Sequence, residues 1–251
     1  MKKGIVVLIT FTLFAGLAFS QSAQQTQKSV EAFMIDKFDS EGESGWNWEV
    51  SASRYVAEGF PKQGYFEGMP SSLKYLQKPG EGENPQVLGV QIAFNRKGDN
   101  WFEVYPTKDG EPYEVPLLGT VTQLDFWVWG AHYMYFIDIL LRDADGRVQV
   151  IPAGNLAFDG WKNKVIKVPG WIRQHSRLST GAETMHFLGF RIRTSPEEYV
   201  DQFTIFFDQF KYLTNALAYI FDGYELKDAE FGESESGESN ANSNADTNEG
   251  K

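Results

Sequence analysis

The chain has no cysteine among its 251 residues. That absence excludes disulfides, thiolate nucleophiles and any metal centre built on Cys, so packing or a partner must supply the stability. Histidine is nearly as scarce. His132, His175 and His186 are the three, and no HExxH zinc motif occurs. The nucleophile elbow GxSxG, the dinucleotide loop GxGxxG and the phosphate loop GxxxxGK[ST] are all missing. Positive charge is short as well: 23 Lys and Arg face 34 Asp and Glu, a net charge of −11. Such a chain repels phosphate backbones, which excludes nucleic acid as a partner.

The apolar run from Gly4 to Phe19 is shorter than the ~20 residues a membrane span needs. It follows Lys2 and Lys3 and leads into Ala18-Phe19-Ser20. A basic start, a short apolar stretch and small residues at the exit describe a secretory signal peptide, cut between Ser20 and Gln21. The chain is therefore expected outside the cytoplasm, without membrane insertion once the signal is removed. Residues 21–35 are read as a polar lead with a short helix over Ser29–Ile35. Residues 36–231 are read as one domain. Residues 232–251 carry Glu233, Glu235, Glu238, Asp246 and Glu249 against Lys251 and no apolar side chain larger than Ala. That composition predicts a disordered acidic tail.

What the chain has in abundance is aromatic: 7 Trp, 11 Tyr and 20 Phe, with 24 Gly and 10 Pro. Aromatic and β-branched residues suit pleated, half-buried surfaces. Period-2 alternation recurs. Leu88, Val90, Ile92 and Phe94 share a face, as do Phe102 and Val104, and Leu124, Phe126 and Val128. Asp145-Gly146 predicts a hairpin joining Asp138–Leu141 to Arg147–Ile151. Further strands are expected over Lys164–Val168, Phe187–Arg193 and Phe203–Leu213, with short helical turns at Ser71–Leu76 and Trp171–Arg177. Eight to ten closely spaced strands without alternating helices predict an all-β fold, an antiparallel β-sandwich or jelly roll.

Catalytic constellations are sparse. Glu103, Asp125 and Asp138 fall on strands and are the only carboxylates weighed for glycosidase chemistry, with solvent-facing structural acids as the preferred reading. The three histidines are read as structural, with His186 on the inward side of its strand. DADG at Asp143–Gly146 begins like a calcium loop but lacks the later ligands, so a turn is expected. Asp39, Glu41 and Glu43, with Asp208 on the last strand, are read as ordinary turn acids, and a calcium site is the lesser reading. No catalytic residue, metal or cofactor is assigned. Trp127 and Trp129 share one side of one strand, and Trp101 and Tyr105 one side of another. Such rows stack on sugars or dock a protein. They are taken as the candidate assembly surface.

Long strings carry a family resemblance: FDSEGESGWNWEV from Phe38, LGVQIAFNRKGDNWFEVYP from Leu88, LLGTVTQLDFWVWGAHYMYFIDILLRDADGR from Leu117, AGNLAFDGWKNKVIKVPGWI from Ala153 and FFDQFKYL from Phe206. With these the chain resembles the outer-layer, or sheath, proteins of spirochaete periplasmic flagellar filaments, from the signal peptide through about Leu217. The same strings look like the jelly-roll layout of galactose-binding-like and carbohydrate-binding modules. The resemblance implies a structural, non-enzymatic coat that serves motility in the periplasm. Its implied partners are the flagellin core filament and copies of the chain itself in a helical array. A periplasmic carbohydrate-binding module is the alternative.

Overall fold

The computed structural model describes residues 30–80, 84–175 and 184–215. The expected signal peptide, the polar residues before Val30 and the expected acidic tail lie outside the described residues. Two antiparallel sheets stack face to face. Sheet I holds β1 (Val30–Asp36), β3 (Lys62–Glu67), β4 (Gln86–Ile92), β8 (Thr120–Ala131), β11 (Asp159–Lys167) and β13 (Phe203–Asn215). Its order is β11-β8-β13-β4-β3, with β1 also on β13. Sheet II holds β2 (Asn47–Ala52), β5 (Trp101–Lys108), β6 (Glu111–Pro112), β7 (Val115–Leu117), β9 (Phe136–Arg142), β10 (Val148–Asn155) and β12 (Met185–Arg193). Its order is β10-β9-β12-β5-β2, with β6 beside β5 and β7 beside β12. Among the described residues no helix is long and apolar enough to cross a membrane.

The alternation read from the sequence sorts the two sides of each sheet. Leu88, Val90, Ile92, Leu124, Phe126 and Val128 face inward from sheet I, and Phe102 and Val104 from sheet II, all buried. Aromatic rings bridge the layers. Phe190 of β12 stacks on Phe207 of β13 at 5.0 Å and meets Phe126 of β8 at 4.8 Å. Phe187 meets Phe210 at 4.7 Å. Burying each such ring stabilises the fold by roughly 2–3 kcal/mol. This interior stands in for the missing disulfides.

The DADG turn closes the β9–β10 hairpin as expected. Asp143 Oδ1 accepts the Asp145 and Arg147 N–H groups at 3.0 and 2.8 Å, Oδ2 accepts from Gln149 Nε2 at 2.7 Å, and Gly146 takes φ 81°. The carboxylate is consumed by the turn. A short helix α1 (Ser71–Gln77) forms where a helical turn was expected.

Four expectations change. Val30–Ile35 is not helical but belongs to β1, because the long β13 offers its C-terminal half as a pairing edge and Phe33 stacks on Tyr212 at 5.4 Å. Trp171–His175, the described part of the second helical turn, contains no helix. His186 lies between the buried Met185 and Phe187 and is itself half-buried, so it points away from the core. The strand count also exceeds eight to ten, chiefly through β1, β3 and the short β6 and β7.

Candidate functional site

The four residues taken as an assembly surface lie on opposite sides of the sandwich. Trp127 and Trp129 project from β8 on the outer side of sheet I. Trp101 and Tyr105 project from β5 on the outer side of sheet II. The alternation that buries Phe126 and Phe102 forces each set outward.

On sheet I the pairing register lines up Trp161, Trp129 and Phe206 across three strands. Trp129 meets Phe206 edge-on at 5.5 Å, and Phe206 meets Phe66 edge-on at 5.8 Å. Beside Phe206 stands Gly89. A Cβ there would fall 2.7 Å from both phenyl rings, so only glycine lets the two rings close over the sheet. The result is a shallow groove of about 300 Å³, lined among others by Lys62, Phe66, Gln91, Thr204 and Phe206. Phe66 is 52% exposed. Gln91 Nε2 donates to Thr204 Oγ1 at 3.2 Å along its floor. Trp127 lies one row further, between Asn163 and Asp208.

On sheet II the aromatic residues are threaded through ion pairs. Glu103 takes the Arg191 guanidinium at 2.6 Å, and Asp138 takes Arg193 at 2.5 Å. Arg191 lies over the Trp101 ring at 5.7 Å, and Arg193 over Phe136 at 5.7 Å. The Tyr105 hydroxyl donates to Glu49 Oε2 at 3.3 Å, and its phenol is pushed up by burial and by the Glu49 charge.

The three carboxylates weighed for glycosidase chemistry do not form a pair in a cleft. Asp125 is on sheet I, receives Asn163 Nδ2 at 2.7 Å and lies 3.9 Å from Lys211 Nζ. Glu103 and Asp138 are on sheet II, on either side of β12, each held by an arginine. A carboxylate tied into a guanidinium fork has a structural use before a catalytic one. His132 Nδ1 lies 3.2 Å from Asp159 Oδ2 at the exposed end of β8, and His175 Nε2 lies 3.4 Å from Thr120 Oγ1.

Asp208 stands apart. It is 1% exposed, and its Oδ2 has no hydrogen-bond partner among the described residues. Burial, and after it the charge of Asp39, pushes its carboxyl up to about 7, against opposing hydrogen bonds from Gln209. Glu43 pairs instead with Lys37 at 3.7 Å, and Glu41 is exposed.

Phe66, Phe206 and Trp161 were not singled out beforehand. Phe206 was readable from alternation, since Phe203, Ile205 and Phe207 must point inward. Phe66 was hidden because KQGYFE on β3 carries no clean apolar period.

A family described as flagellar filament outer layer protein FlaA matches residues 26–220. The chain belongs to that family. A relative, the putative flagellar filament outer layer-like protein of Brachyspira hyodysenteriae, is 25% identical over 205 residues, 76% of this chain and 89% of the relative. Among solved structures, a family 61 carbohydrate-binding module in complex with β-1,4-galactotriose is 16% identical with a TM-score of 0.40, over 73% of this chain and 99% of the module. The family 11 module of the Clostridium thermocellum cellulase Lic26A-Cel5E is 14% identical with a TM-score of 0.38, over 75% and 96%. The FlaA match agrees with the outer-layer resemblance that the long sequence strings carried.

Proposed function

We propose that this chain is a non-enzymatic coat subunit of a periplasmic flagellar filament, exported by residues 1–20 and laid onto a flagellin core beside copies of itself. The FlaA match over residues 26–220 carries this reading. The outer side of sheet I supplies the apolar contact through Trp127, Trp129, Phe206 and Phe66. Trp101 and Tyr105 present a second, chemically different contact on the far side. Two unlike faces favour heterologous contacts, which propagate into open helical arrays instead of closing.

Trp129→Ala combined with Phe206→Ala should leave a folded protein, because both rings lie outside the core, yet reduce co-sedimentation with purified filaments at least tenfold. Unchanged co-sedimentation would remove sheet I from the contact. The groove also places amide and hydroxyl groups beside an exposed ring, a composition suited to a saccharide. Titrating oligosaccharides against Trp fluorescence tests that second reading: saturable quenching lost in the same variant would support it.

A further inference from the structure

An edge strand offers unpaired backbone groups to any strand that reaches it, and lysine, proline and bulges are the devices that keep such an edge from pairing with another chain. Most edges of this sandwich carry one of them. On one flank, Lys164 of β11 donates from Nζ to the Asn155 carbonyl of β10 at 2.9 Å. β11 has Lys162 and Lys167 besides, and β10 is interrupted by Pro152 and the register shift beyond it. On the other flank, Gln63 Nε2 of β3 donates to the Trp48 carbonyl of β2 at 2.8 Å, and β3 begins with Lys62.

β1 has none of these devices over Val30–Met34. It sits on β13 beyond the end of β4: β4 pairs with Phe203–Phe207, and β1 with Phe210–Asn215. Among the described residues no strand lies on its other side. Every residue from Val30 to Met34 is exposed, and Val30, Phe33 and Met34 are large and apolar. The pairing with β13 is regular there, and the register shifts only between Met34 and Asp36. Alternation puts Val30, Ala32 and Met34 on one side and Glu31 and Phe33 on the other. A strand exposed on both sides buries little apolar surface, and a further strand beside it would cover these side chains and take up its free backbone groups.

We propose that the open edge of β1 takes β1 of a second copy, antiparallel, so that sheet I continues from one copy into the other. This pairing rests on the reading that copies of the chain lie beside one another on a filament. The other edges of a neighbouring copy are guarded by lysine or proline or tied across a flank, whereas its β1 is open in the same way. The strand is also self-complementary. In a pair centred on Ala32, Val30 of each copy faces Met34 of the other, and Glu31 faces Phe33; in a pair centred on Phe33, Glu31 faces Ile35. In neither register does Glu31 oppose itself, which matters between chains of net charge −11. The contact is two-fold and closed, and it leaves both outer sides of the sandwich free for the contacts that propagate an array.

The absence of cysteine makes the test direct. Ala32→Cys, labelled at its thiol with a short photo-crosslinker, should melt as the parent does. On irradiation it should give a covalent dimer, the label of one copy joined within Val30–Asp36 of the other, in concentrated solution and on filaments. Sedimentation equilibrium of the unlabelled parent should show monomer passing to dimer as concentration rises. Ala32→Lys sets two ammonium groups against each other near the axis and should weaken dimerisation roughly tenfold, with melting unchanged because the site is exposed. No covalent dimer in either setting would overturn the proposal, as would undiminished dimerisation in Ala32→Lys. So would a label joined to residues 216–231 of its own chain, to flagellin, or to another part of the second copy. Co-sedimentation is scored separately. Filaments that are coated without the β1 crosslink would remove this pairing and leave the coat reading, and a crosslinked dimer that never co-sediments would do the reverse.

Discussion

The two outer sides of the sandwich solve one problem in opposite ways. Each carries aromatic residues forced outward by alternation. On sheet II, Trp101 and Phe136 lie under guanidinium groups that also bind Glu103 and Asp138, so the rings are partnered within the chain. On sheet I, Trp129, Phe206 and Phe66 meet one another around Gly89 with no guanidinium or ammonium over them among the described residues, and Phe66 stays 52% exposed. Aromatic content therefore does not identify a contact surface. What distinguishes the faces is whether charge has already claimed the rings. An exposed apolar cluster without such partners is the kind of surface a neighbour covers.

The sharpest way to break this comparison is at Arg193. Its side chain is 49% exposed, but its partner Asp138 is 3% exposed. Arg193→Met leaves a buried carboxylate uncompensated and should cost about 1–3 kcal/mol in urea unfolding, after allowance for solvent screening of the arginine. A loss below about 0.5 kcal/mol would mean that the ionic lattice of sheet II does not stabilise the fold.

Gly89→Ala sharpens the other side. Its Cβ would collide with Phe66 and Phe206, whose rings must swing aside to admit it. The expected cost is about 1–2 kcal/mol, with the groove opened and co-sedimentation reduced. A variant that melts normally and binds filaments normally would show that ring closure over the glycine is unimportant.

The smallest effect concerns acid. Glu198, near the start of β9, accepts Met134 N–H at 2.8 Å and Tyr199 N–H at 2.8 Å, and these bonds hold its carboxyl below the usual glutamate range. A lowered folded value means stability that is present above the unfolded value of about 4.5 and lost as pH falls through the folded one. Glu198→Gln should lower the melting temperature slightly at neutral pH, where the carboxylate's contribution is fully present, and shallow the further loss below pH 4.5. An identical acid profile in parent and variant would contradict the role of those two bonds.

Much of this molecule was readable in one dimension. Alternation identified the inward sides of β4, β5 and β8 because a sheet has a strict period of two. Asp145-Gly146 identified the β9–β10 hairpin because a tight turn needs a residue that tolerates positive φ. β1 escaped because VEAFMID has no strong preference of its own and becomes a strand only when β13 lends it an edge. His186 was misassigned because a bulge between Phe187 and Gly189 lets Phe187 and Phe190 both face inward, which breaks the simple alternation.

The sequence by itself determined the all-β class, the aromatic interior and the outward direction of Trp101, Tyr105, Trp127 and Trp129, since each depends on local period and turn chemistry. The long motif strings carried the family resemblance on their own. Only the tertiary structure decided that these four residues divide between two opposite faces, that Phe66 and Phe206 meet over Gly89, and that the charge of Asp39 reaches the buried carboxyl of Asp208. Those facts depend on which distant strands pair and in what register, and pairing is fixed by the packing of the whole chain instead of by any one segment.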